Sequence, residues 1–218
     1  MDTTFIYMDL ETIPSQDDAY KANLAETLKP PANYKNEDAI AKWRADNLDD
    51  AVAKTSFDGG RGHVCTIAWA KGDDQVQAGH AETLKDEAVI IANFFADLDD
   101  YHSECLVGHY VTGFDIPFLI QRAVCLGVKL PPNTSFPRDP KPWDKNVHDT
   151  MFMFAGSKGR ISMDELCDIL GIPGKGEFDG SMVAAAWARG EHEKIMEYCK
   201  DDVRRTREIH KRFLAAGW

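Results

Sequence analysis

The sequence predicts an α/β protein built on a mixed sheet. Short β-branched and aromatic runs concentrate early in the chain, helical periodicities alternate with or follow them, and glycine or proline punctuates the boundaries. Residues 4 to 12 (TFIYMDLET) read as a strand closed by Pro14, and its alternation places Phe5, Tyr7, Asp9 and Glu11 on one face and Ile6, Met8 and Leu10 on the other. A polar, alanine-rich stretch from Ser15 to Asn47 has helical character and runs into the glycine cluster Asp58-Gly59-Gly60-Arg61-Gly62. It reads as a helical insertion at about 15–62 within a single domain spanning 1–218. Such a stretch can cover a cleft or meet a partner.

Strands are expected at His63 to Ala70 and near Gln75 to Gly79, joined as a hairpin across Lys71 to Asp74. Ala88, Ile91, Phe94, Phe95 and Leu98 fall at the spacing of an amphipathic helix within Leu84 to Leu98. Cys105 to His109 is a short buried strand, and the next helix starts near Asp115, takes Pro117 in its first turn and stops at Gly127. A proline-rich loop from Pro131 to Trp143 leads to Val147–Phe154. A short helix, Met163 to Leu170, ends at Gly171, and the last helix runs from about Glu191 to Ala215.

With 218 residues, 44% of them apolar, the chain is long enough for one good core. Five scattered cysteines without C-x-x-C spacing suggest neither a disulfide framework nor a zinc site, which fits a reducing cytoplasm. No uninterrupted apolar run is long enough for a membrane span, and the N-terminus lacks a basic leader. A formal net charge of −11 argues against coating nucleic acid by phosphate neutralisation alone. It is compatible with carboxylates that hold cations against a phosphate.

Three acidic motifs stand out. Asp9-Leu10-Glu11 projects two carboxylates from one face of a hydrophobic strand, where mutual repulsion favours a cation between them. A solvated strand end is the plainer reading. Asp115 follows a strand and a glycine-bearing turn and opens a helix, a common place for a site; helix N-capping would explain it equally. Phe-Asp recurs at Phe57-Asp58 and Phe178-Asp179, so the dipeptide alone means little. Tyr198 and Asp202 stand one helical turn apart on the inward face that carries Ile195, Thr206 and Ile209, and a structural Tyr–Asp hydrogen bond is the plain alternative.

Taken in order, strand D-x-E, strand-turn-FD-helix and late-helix Y-x-x-x-D resemble the DEDD-type 3′→5′ exonuclease superfamily. The likeness extends from Asp9 to Asp202 and is nearest to stand-alone proteins related to the proofreading exonuclease domain of family B DNA polymerases. Glu at position 197, where the histidine-bearing branch has His, favours the tyrosine branch. Tyr110 departs from the asparagine that relatives often carry before the Phe-Asp pair.

The resemblance implies a ribonuclease H-like fold, a mixed five-stranded sheet flanked by helices. It also implies two divalent cations, Mg²⁺ or Mn²⁺, held by Asp9, Glu11, Asp115 and Asp202, with Tyr198 orienting the attacking water. The expected substrate is a DNA 3′ end, mainly single-stranded, releasing nucleoside 5′-monophosphates. Leu10, Thr12, Phe114 and Tyr198 would contact the terminal nucleotide, and a polymerase or repair protein on another chain is a possible partner. Lys158, Arg160 and Lys175 lie in loops where they could meet phosphates. Arg204, Arg205, Arg207, Lys211 and Arg212 read as complements to the C-terminal end of the helix dipole. An RNA-trimming 3′→5′ exoribonuclease uses the same chemistry. A non-catalytic nucleic-acid-binding module with this fold would lack one of the acids, and none is missing. A structural metal-binding protein is the third alternative.

Overall fold

A computed structural model describes residues 4–100, 105–141, 143–174 and 176–218. Its strands are β1 (Phe5–Ile13), β2 (His63–Lys71), β3 (Gln77–His80), β4 (Cys105–Gly108) and β5 (Val147–Asp149). They form one sheet in the order β3-β2-β1-β4-β5, with β1 antiparallel to β2 and parallel to β4, and β4 parallel to β5. The expected mixed five-stranded sheet is therefore present.

Helices cover both faces. On one side α3 (Glu87–Asp100) and α4 (Asp115–Leu126) bury Phe94, Leu98 and Leu119 against Ile6, Met8 and Leu10 of β1. On the other, Tyr7 of the same strand packs with Cys199 and Val203 of α8 (His192–Ala215). Period-two alternation along β1 thus assigns its two faces to two separate clusters. β2 is buried at every position between its ends, as expected of a strand covered on both sides. A register shift follows Glu11: Glu11 pairs with Thr66 and Thr12 with Val64, leaving Cys65 over. This bulge puts the extra residue in β2 and bends that strand opposite the end of the acidic motif.

The remaining helices are short apart from those of the insertion. α5 (Thr150–Ala155) and α6 (Met163–Leu170) are N-capped by Asp149 and Ser162. α7 (Val183–Ala188) packs its buried Val183 and Ala186 with Ile13 and Ile195. Between β1 and β2 lie α1 (Asp18–Thr27), α2 (Glu37–Ala53) and a 3₁₀ turn at Lys54–Phe57. Neither α1 nor α2 contains a buried residue.

The structure adds to the sequence reading in some places and corrects it in others. Val147–Phe154 divides into β5 and α5, because the Asp149 carboxylate accepts the Met151 and Phe152 N–H groups and turns the strand into a helix. α7 was not anticipated, since six residues of VAAAWA give too short a period to read. The helical insertion is two helices, and α2 runs on past Asn47 to Ala53. Asp115 is the first residue of α4 and not its cap; that position belongs to Phe114, without a side-chain cap bond. The basic residues of α8 do not mainly serve its C-terminus. Arg204 pairs with Glu197 and Asp201, Arg205 with Asp202 and Lys211 with Asp73 and Glu208, leaving Arg212 in the last turn.

Candidate active site

Asp9 and Glu11 come from the second half of β1, starting at its midpoint, Asp115 from the start of α4, and Tyr198 and Asp202 from the body of α8. Glu11, Asp115, Tyr198 and Asp202 are buried, and Asp9 is partly covered. Their mutual influence places them in one cluster. Burial pushes the Asp9 carboxyl well above the usual range, and the charges of Asp202, Glu11 and Asp115 push it further. Asp115 is driven up to about 7, first by burial and then by Asp149 and Asp202, against opposing hydrogen bonds from its own backbone N–H and, less, from that of Leu10. The bond from Leu10 also joins the first acidic motif to the second.

The Tyr198 phenol lies above its ordinary range because it is buried and faces Asp202, Glu11 and Asp9. Its hydroxyl is hydrogen-bonded to Asp202, and its ring meets Phe178 edge-on with centroids 5.1 Å apart. Asp202 also accepts a hydrogen bond from Arg205 Nη1 at 2.8 Å. One guanidinium beside four carboxylates leaves a net negative pocket.

Cys199, adjacent to Tyr198 and fully buried, donates its thiol to the Asp9 carbonyl oxygen and to Asp9 Oδ2, each at 3.4 Å. Asp9, Glu11 and Cys199 offer ligand atoms within 4.8 Å of one another. Together with the other carboxylates this is a predominantly hard-oxygen donor set whose shared excess charge suits a divalent cation.

The loop before Asp115 is held from below. Asp149, wholly buried at the end of β5, accepts the Tyr110 and Thr112 N–H groups at 3.0 Å and the Thr112 hydroxyl at 2.7 Å. These bonds hold Tyr110 at φ 64°, the one non-glycine positive φ among the described residues. Its ring lies so close over Gly113 that a Cβ there would come within 2.2 Å of it, so a side chain at 113 would displace either the ring or the turn. Arg160 stacks on the Tyr110 and Phe152 rings at 5.2 and 5.1 Å.

Two cavities flank the cluster. One, of about 590 Å³, is bounded by Leu10, Glu11, Thr12 and Phe114 together with Lys54 and Phe57 of the insertion. The second, of about 540 Å³, lies along Phe178, Lys194, Tyr198 and Arg205. All the residues expected at the site are therefore near it: the acids and Tyr198 in the cluster, Leu10, Thr12 and Phe114 on the wall of the first cavity. The Thr12 hydroxyl donates to the Ser56 carbonyl at 2.8 Å and so also ties the insertion to the site. Lys175 lies outside the described residues.

Fold and site together define an α/β protein of ribonuclease H-like architecture with an acid cluster on its central strand. A sequence model of the family described as predicted 3′-5′ exonuclease related to the exonuclease domain of PolB matches residues 61–216, and the chain belongs to that family. β1, with Asp9 and Glu11, and the insertion precede the matched residues.

DNA polymerase 2 of Aeropyrum pernix is 26% identical over 171 residues, 71% of this chain and 21% of the polymerase. The chain thus spans about a fifth of that relative's length. The family B DNA polymerase from the hyperthermophilic archaeon Pyrobaculum calidifontis is similar in structure, with a TM-score of 0.65 at 18% identity over 98% of this chain and 25% of that one. At that identity the likeness is one of fold. Among the described residues, no helix is long and apolar enough to cross a membrane.

Asp149, Cys199, Arg205, Phe57 and Lys54 were not read from the sequence as site residues. Asp149 carried only the local signal of a helix cap. Cys199 had the one usable signal, its place beside Tyr198 on the inward face of the last helix.

Proposed function

We propose that the chain is a metal-dependent 3′→5′ exonuclease that hydrolyses the terminal phosphodiester of single-stranded DNA and releases nucleoside 5′-monophosphates. The observation that carries this reading is the convergence of four carboxylates from β1, α4 and α8 around Tyr198 in a member of this family. Asp9, Glu11 and Asp202 would hold one Mg²⁺ or Mn²⁺, and Asp9 with Asp115 a second. Such a pair, when bound, supplies an activated water and neutralises the leaving 3′ oxygen.

The protein groups have separate tasks. With its pKa raised, Tyr198 stays protonated at neutral pH, so it orients the attacking water by hydrogen bonding and does not remove its proton. Cys199 steadies the Asp9 carboxylate, and Arg205 fixes the Asp202 rotamer from the far side. Leu10, Thr12 and Phe114 form the wall against which the terminal nucleotide rests. All five cysteines are free, which fits a reducing cytoplasm. A polymerase or repair protein on another chain would supply the 3′ ends.

The test is digestion of 3′- and 5′-labelled single-stranded DNA, and of a matched RNA, with Mg²⁺, Mn²⁺ or a chelator. The expected result is stepwise loss from the DNA 3′ end that the chelator abolishes. Release only from the 5′ end would overturn the polarity, faster loss of RNA would overturn the choice of polymer, and no release with either metal would overturn the activity.

A further inference from the structure

We propose that the insertion supplies the stacking element of this site: Phe57 receives the terminal nucleobase of the 3′ end, and Lys54 meets the adjoining phosphate. The inference rests on the exonuclease reading and adds to it a substrate contact from a segment outside the residues matched by the family. Phe57 is 74% exposed, so its ring is open to a ligand. It lines the cavity of about 590 Å³ that opens onto Glu11, and it meets Phe114 edge-on with centroids 6.2 Å apart. The contact with Phe114 leaves most of the Phe57 ring exposed beside the cavity.

The exposure is not that of a loose loop, because the backbone around Phe57 is tied on both sides. Before it, the Thr55 hydroxyl accepts the Ser15 N–H and donates to the Val52 carbonyl, and the Ser56 carbonyl accepts the Thr12 hydroxyl. After it, Arg122 Nη1 donates to the Gly59 carbonyl at 3.1 Å while the same guanidinium is held by the buried Glu87 carboxylate. At Gly62 a Cβ would lie 2.5 Å from the Thr55 carbonyl oxygen, so the returning chain passes too close for a side chain. An apolar ring held at the mouth of an acidic site and left largely exposed is suited to a planar partner brought by the ligand. Every nucleobase has such a face, and stacking tolerates all of them.

Charge supports the same occupant. A chain of net charge −11 repels a polyanion, so a cation at the cavity carries weight. Lys54 lines that wall and takes part in no ion pair among the described residues, although Asp50, one turn earlier in α2, lines it too. The metals would face the scissile phosphate from the carboxylate side and Lys54 from the insertion side.

The experiment is single-turnover release of the first nucleotide from two single strands, one intact and one abasic at its 3′-terminal residue. Wild type is compared with Phe57→Ala, Phe57→Trp and Lys54→Gln. Base–aromatic stacking of ordinary strength predicts that Phe57→Ala slows release from the intact strand roughly 5- to 100-fold, leaves the abasic strand near the wild-type rate, and is rescued by Phe57→Trp. Lys54→Gln should slow both strands alike and reduce the salt dependence of binding. If wild type cleaves while Phe57→Ala either matches it on the intact strand or slows both strands equally, the stacking role is overturned and the exonuclease reading stands. If wild type releases nothing, the exonuclease reading fails and takes the inference with it.

Discussion

Helices α8 and α2 are both long and both rich in charge, but eight residues of α8 are buried and none of α2 is. α8 lies across β1 and β2, so its inward face is fixed by the core, and Tyr198, Cys199 and Asp202 inherit that precision. α2 leans on α1, with Tyr34 against Trp43 and Arg44 Nε bonded to the Leu28 carbonyl, and it reaches the body through the turn that follows it. The contrast separates two tasks. Metal-ligand geometry tolerates little displacement and is built on the buried body. The stacking contact comes instead from the tied turn at the base of the insertion, whose two helices are themselves lightly packed.

The largest test of this contrast is in the body. Phe94 is fully buried between α3 and the sheet, so Phe94→Ala should lower unfolding free energy by about 3–5 kcal/mol in denaturant titrations. A loss below about 1 kcal/mol would mean that the body is not the rigid part.

A smaller effect follows from the relay under β1, where His210 lies between the Tyr7 hydroxyl at 3.0 Å and His148 at 2.8 Å. Burial, and then His148, hold His210 down to about 4. The unfolded chain binds a proton below its ordinary pKa of about 6.5 that the folded chain refuses, so stability rises with pH across this window. The contribution is complete above about 6.5 and lost as pH falls toward 4, amounting to at most about 3 kcal/mol. Unfolding at pH 7 and pH 5 should show wild type losing about 2 kcal/mol more than His210→Gln. Equal losses would remove the relay from the account.

The smallest effect belongs to the insertion. Leu48 is only partly buried beside α1, so Leu48→Ala should cost about 1 kcal/mol or less and leave the midpoint of global unfolding almost unchanged.

The difference between the two regions also explains what the sequence disclosed. β1, α4, α6 and α8 were legible because burial imposes a period and Gly127 and Gly171 close their helices in the left-handed conformation. The insertion has weak amphipathic order, so it read as helical without its division into two helices. Asp9 and Glu11 could be paired locally through the strand alternation. Their meeting with Asp115 and Asp202 could not, since it depends on parallel pairing of β1 with β4 and on α8 crossing the sheet, and only the family resemblance suggested it. Phe57 was visible merely as one of three Phe-Asp pairs, because its importance comes from meeting Phe114 beside a cavity.

If the four carboxylates are the metal-binding catalytic centre, removing each one singly without changing its shape should weaken both metal binding and turnover. Asp9→Asn, Glu11→Gln, Asp115→Asn and Asp202→Asn are assayed on 3′-labelled single-stranded DNA in Mn²⁺, alongside the Mn²⁺-induced rise in melting temperature. Each variant should lose more than about 100-fold in rate, beyond what outer partners of a metal site typically cost, and should show a smaller Mn²⁺ stabilisation while keeping its circular dichroism. Wild-type rates and wild-type Mn²⁺ stabilisation in Asp9→Asn and Asp202→Asn would contradict the account.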